Sequence, residues 1–178
     1  MAAAVDEVIV REVRVPLHAR LEPDDGRWTL VVRRHLPDDP DALWLALTDP
    51  ERLARWSPIV PDRALVTLGP ATSREKPGDD PIDAEVLEAA QPRLLAHRWG
   101  RDVLRWAISP ADQGSTLELR QTLADPAMAS SLAAGWRICL ATLAASHDGA
   151  EHERVVGQRA LDYGWQQLRD RFEAELRG

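Results

Sequence analysis

A chain of 178 residues, 44% hydrophobic and 29% charged, has the size and balance of one globular domain with its own core. Cys139 is its single cysteine, so an intrachain disulfide scaffold is excluded. A net charge of −7, with Lys76 the only lysine, argues against a nucleic-acid partner, whose phosphates call for a basic face.

The first ten residues, MAAAVDEVIV, have no basic run and meet acids at Asp6 and Glu7, unlike a secretory leader. No apolar run is read as reaching the roughly 20 residues of a membrane span, so the expected setting is the cytoplasm. Residues 8–15 (VIVREVRV) have strand-like composition and are read as an added edge strand or a docked arm. Pro16 and the acidic turn at 22–26 close that segment. Residues 27–36 form the first full strand, with Trp28, Leu30 and Val32 on one face.

Two short helices follow. Leu43, Trp44 and Leu47 give the first its stripe, and Asp49-Pro50-Glu51 starts the second as N-cap, first-turn proline and first-turn acid. Strands are expected at 64–68, 71–76, 82–88, 94–99, 103–109 and 115–123. The last is the clearest, with Leu117, Leu119 and Leu123 facing inward between polar neighbours. After Asp125-Pro126 the period becomes helical, and Leu132, Trp136, Cys139, Leu140 and Leu143 share a stripe. Gly149 interrupts it, and a second helix is expected over 151–176 with Val155, Leu161, Trp165, Leu168 and Phe172 on its apolar face. The sum is an α+β domain: a curved antiparallel sheet of about six or seven strands on a long C-terminal helix, with two short helices after the first strand.

That order is the order of the helix-grip fold. The segments LPDDPDALWLALTDPERLARW, VLEAAQPRLLAHRWG, GSTLELRQT and AAGWRICLATLAA resemble a branch of the START-like (SRPBCC) superfamily, the bacterial proteins similar to the activator of heat-shock protein 90 ATPase. The resembling segments together span about residues 28–145, most of the chain, and residues 1–26 and the lengthened tail have no clear counterpart in it. The division expected is an N-terminal arm or edge strand at 1–26 and a START-like domain at 27–178. The resemblance implies a cavity between sheet and long helix.

The expected function is noncatalytic binding of a small hydrophobic ligand in that cavity, or of a protein partner. The residues expected round the ligand are Trp28, Leu95, His97, Trp99, Leu104, Trp106, Leu117, Leu119, Trp136 and Leu140. Trp44 and Trp56 are read as pins for the two short helices. The rival readings are an enzyme of the polyketide cyclase or dehydratase type, with His97, Arg105 and Arg120 as first suspects, and a chaperone-associated protein acting through its surface. His97 between Leu95 and Trp99 reads first as a neutral, hydrogen-bonded wall residue, and Cys139 as a packed thiol. His147 and His152 flank Gly149 and read as a polar joint rather than a metal site. No catalytic residue, metal ligand or cofactor is assigned, and no glycine-rich phosphate loop follows a strand.

Overall fold

The computed structural model describes residues 4–177. Six antiparallel strands form the main sheet: β1 (His18–Asp24), β2 (Arg27–Leu36), β6 (Val86–Ala90), β7 (Leu94–Trp99), β8 (Asp102–Ala111) and β9 (Gly114–Leu123), in the order β1-β2-β9-β8-β7-β6. Helix α4 (Ala129–Ala145) crosses its inner face, with α2 (Pro40–Thr48) and α3 (Pro50–Leu53) between β2 and the rest. A second small sheet joins β3 (Val60–Pro61), β4 (Thr72–Arg74) and β5 (Ile82–Asp83). This is the α+β helix-grip architecture expected from the sequence.

Strand β9 shows why. Ser115, Leu117, Leu119, Gln121 and Leu123 alternate into the core, so one face of the strand is buried throughout. In register beside Leu119 lie Val32 of β2 and Trp106 of β8. The β8–β9 turn needs Gly114: its φ is +133°, and a Cβ there would meet the Leu36 carbonyl oxygen at 2.1 Å. The start of α3 is as read, for the Asp49 carboxylate accepts from the Glu51 and Arg52 amides at 2.9 and 3.1 Å.

Four expectations are corrected. Residues 8–15 are not a strand but lie in helix α1 (Glu7–Arg14), capped by Asp6, with Ile9 and Val13 buried against α4. In so short a segment Ile9 and Val13 fit a helical stripe as well as alternation fits a strand, and docking on α4 decides. The edge strand is β1, paired to β2 through the Asp25-Gly26 turn, where both residues have positive φ.

Residues 64–68 turn rather than extend. The Arg63 guanidinium gathers the carbonyls of Ala64, Thr67, Gly69 and Pro70 at 2.9–3.1 Å, supplying the donors a neighbouring strand would have given.

The long helix expected over 151–176 is shorter. A 3-10 turn (Gly157–Tyr163) and helix α5 (Trp165–Glu175) replace it, separated by Gly164 at φ +84°. Ahead of them Arg154 ties the chain down by donating to the carbonyls of Ser57 and Glu75 at 2.9 and 2.5 Å.

Finally, residues Pro126–Ala145 do reach the length and apolarity of a membrane span, at 20 residues. Most of that surface is already covered inside the protein, 61% of it, by the sheet, α1 and α5.

Candidate functional site

Four indoles interlock between the sheet and α4. Trp106 of β8 lies edge-on to Trp136 of α4 at 5.3 Å and to Trp56 at 6.2 Å, and Trp99 at the end of β7 tilts against Trp136 at 5.6 Å. Each buried N–H in this group has an acceptor. Trp56 Nε1 donates to the Ala46 carbonyl at 3.1 Å and Trp106 Nε1 to His97 Nε2 at 3.1 Å. Trp136 Nε1 donates to Gln121 Oε1 at 2.7 Å, Gln121 Nε2 donates to Asp102 Oδ2 at 2.7 Å, and Asp102 Oδ1 accepts the Ala124 amide at 2.8 Å. Such a satisfied chain fixes the indole orientation.

His97 is closed to chemistry by the same network. Nε2 accepts from Trp106, so Nδ1 carries the proton and donates to the Arg98 carbonyl at 2.9 Å. Burial pushes its pKa down to about 4, against the pull of that carbonyl. Arg105 and Arg120 are register partners on the other face of the sheet, paired with Glu88 at 2.8 Å and Glu22 at 2.9 Å. The three residues that an enzyme reading would use are therefore not brought together.

The space between sheet and α4 is filled. Leu95, Leu104, Trp106, Leu117, Leu119 and Leu140 are all core residues exposed by 2% or less, and His97 is buried beside them. Trp28 lies away from them, half-exposed near the start of β2. An open cavity of about 340 Å³ lies instead at the flank of α4, under residues 155–165. Of the ten residues expected round a ligand, Trp99 and Trp136 line it.

The rest of its wall comes from Leu132, Ile138, Val155 and Trp165 among others, with Glu75 as the one charged lining residue among those described. Gly135 opens the α4 side, because a Cβ there would touch nothing within 4 Å. A glycine inside an apolar helical stripe was the signal available for this wall, since glycine weakens a helix by about 1 kcal/mol and marks a place where a side chain is absent. Val155, Leu161 and Trp165 read in the sequence as the apolar face of one helix, and the 3-10 turn that breaks it sets them instead along the cavity. Cys139 borders the cavity, but the residue is buried and burial pushes its thiol pKa up to about 12.

His147 and His152 do not share a site. His147 Nδ1 lies 3.3 Å from Asp38, and His152 Nδ1 lies 2.6 Å from Asp6. Among the described residues no three histidine, cysteine, aspartate or glutamate side chains gather as a metal set.

Comparison with known proteins follows the same outline. The family described as "Activator of Hsp90 ATPase homolog 1-like protein" matches residues 39–148. The crystal structure of CalU16 from Micromonospora echinospora superposes with a TM-score of 0.68 at 18% identity, over 92% of this chain and 98% of that one. EF2215 from Enterococcus faecalis, described as a conserved protein of unknown function, gives 0.69 at 16% identity over 95% of both chains. DynU16, from the dynemicin biosynthetic locus, gives 0.61 at 24% identity over 74% of this chain and 51% of that one. At these identities the likeness is one of fold. No curated protein sequence matches the chain.

Proposed function

The chain belongs to the family of activator of Hsp90 ATPase homolog 1-like proteins, and from that premise we propose that it binds a small apolar ligand in the cavity beside α4 without transforming it. The observation that carries this reading is the cavity itself: about 340 Å³, walled by three indoles and aliphatic side chains, with a single carboxylate. Small-molecule sites are commonly concave, mostly apolar and roughly 300–1,000 Å³ in volume. A noncatalytic role is favoured because no nucleophile is paired with a base there. His97 has both nitrogens engaged, and the Cys139 thiol is held far from its thiolate form at neutral pH.

Trp99, Trp136 and Trp165 line the cavity, so an apolar ligand entering it changes their emission saturably. The decisive variant is Gly135→Leu. Its side chain enters the empty space, while the helix gains up to about 1 kcal/mol from loss of glycine. The expected result is a protein as stable as the parent whose binding of fatty alcohols or polyaromatic compounds is weakened by about tenfold or more. No saturable response across such a panel, or an unchanged response in Gly135→Leu, returns the protein to a role played through its surface.

A further inference from the structure

A second cleft, of about 490 Å³, opens between α1, α4, the 3-10 turn and α5. Arg14 from the last turn of α1, Arg137 from the middle of α4 and Arg171 from α5 all line it. In an acidic protein this grouping is unusual, and its pairing is more so. On the open surface Arg20, Arg33, Arg105 and Arg120 each meet a carboxylate within 3 Å. Arg14, Arg137 and Arg171 form no ion pair with any described residue.

Arg137 is the informative member. It is 8% exposed, and its Nε–H donates to the Val13 carbonyl at 2.8 Å, which fixes the guanidinium plane. Its two terminal nitrogens donate to no described residue and are left facing the cleft. Burial and the nearby Arg171 charge both disfavour its protonated form, and Glu175 offsets this only in part. Two like charges held together in a partly dry place are a standing repulsion that an anion would relieve.

The cleft wall also holds Gly164, where α5 begins. No side chain caps this helix, so its first amides and the positive end of its dipole remain available. The one acid in the lining is Asp162, which is exposed. Within the lining three guanidinium charges face that one carboxylate, and with Glu175 close to Arg137 outside the lining the cleft still keeps an excess of positive charge, which a phosphate anion neutralises. Leu168 and Tyr163 supply an apolar side to the same wall.

We propose that this cleft is a binding site for a small molecule bearing a phosphoryl group, held by Arg14, Arg137 and Arg171 at the N-terminus of α5. A phosphoryl group offers three acceptor oxygens to forked donors arriving from three elements, whereas a carboxylate offers two. The site is separate from the cavity beside α4, with only Leu161 common to the two linings.

The test uses the full chain and two ring-bearing probes, phenyl phosphate and benzoate, titrated at fixed ionic strength and followed by amide chemical shifts. Phenyl phosphate is expected to saturate in the millimolar range or below, and benzoate to bind about tenfold more weakly. Arg14→Gln and Arg171→Gln change exposed side chains, so both variants keep the fold. Each is expected to weaken phenyl phosphate by about tenfold, whereas Arg169→Gln, outside the cleft, leaves it unchanged. Absence of saturation in the parent overturns the site, as does equal binding in the parent and the two cleft variants. Benzoate binding as tightly as phenyl phosphate overturns the phosphoryl assignment.

Discussion

The body of the molecule, from β2 through α4, and the two flanks that lie against it differ in where their polar side chains bond. In the body, strand ladders and interlocked side chains do the holding, and its polar groups serve indoles already buried. The flanks, residues 4–24 and 149–177, add the β1 ladder and the apolar faces of α1 and α5 to that body, and long-range polar bonds tie them to it and to each other. His152 meets Asp6 at 2.6 Å, Tyr163 Oη accepts the Asp6 amide at 3.0 Å, Glu12 pairs with buried Arg34, and Arg137 reaches the Val13 carbonyl. The two clefts described above lie where flank meets body. A packed interior leaves no open volume, so such volume is left to the seam.

The largest expected effect tests the body. Trp136→Ala removes a side chain that is 2% exposed, and leaves Gln121 without its donor. A loss of about 3–5 kcal/mol in urea unfolding is expected, as for other large buried aromatics. A loss near 1 kcal/mol would mean that the cavity on one side of Trp136 leaves it few packed neighbours.

A pH titration sharpens the contrast. His97 is neutral in the folded protein down to about pH 4, while in the unfolded chain it takes up a proton near pH 6.5. Its contribution to stability is therefore complete above pH 6.5 and lost as pH falls towards 4, by about 3 kcal/mol. Carboxylates titrate in parent and variant alike, so the difference between the parent and His97→Gln isolates this slope. A parent curve that runs parallel to the variant between pH 6.5 and 4 would show that His97 is not buried in the network described.

The smallest effect belongs to the flank. Asp6 caps α1 and is held below the usual carboxylate range first by its bond to His152, so its contribution is lost only as pH falls below about 4. Asp6→Ala is expected to lower stability by about 1 kcal/mol at neutral pH. Its clearer sign is faster hydrogen exchange at the α1 amides, with β7, β8 and β9 unchanged. Faster exchange throughout would join flank and body into one cooperative unit.

These differences also decide what the sequence disclosed. The alternation in β9 and the Asp49-Pro50 start of α3 are local signals, and they give the sheet and the short helices directly. The Gly135-Trp136 helix is equally plain, because its apolar stripe runs for five turns. Gln121 was harder: it reads as a polar break among leucines, yet it points inward because Trp136 and Asp102 complete its hydrogen bonds. Residues 8–15 fit two periods, and only α4 selects one. The path of residues 150–164 depends on carbonyls at Ser57 and Glu75 that Arg154 finds across the fold. Both clefts require that path, so neither could be drawn from sequence alone.

The bond from Asp6 to Tyr163 spans 157 positions in sequence, and that to His152 spans 146. Contacts so distant must overcome loop closure before they give any stability, which places them late in folding. On the ribosome α1 emerges before α4, and the whole sheet emerges before residues 152–163. Ile9 and Val13, which fasten the finished molecule, are thus an uncovered apolar face for most of synthesis. That interval is when aggregation or chaperone capture acts on a growing chain, and the helix that completes this protein is the part of it most exposed to both.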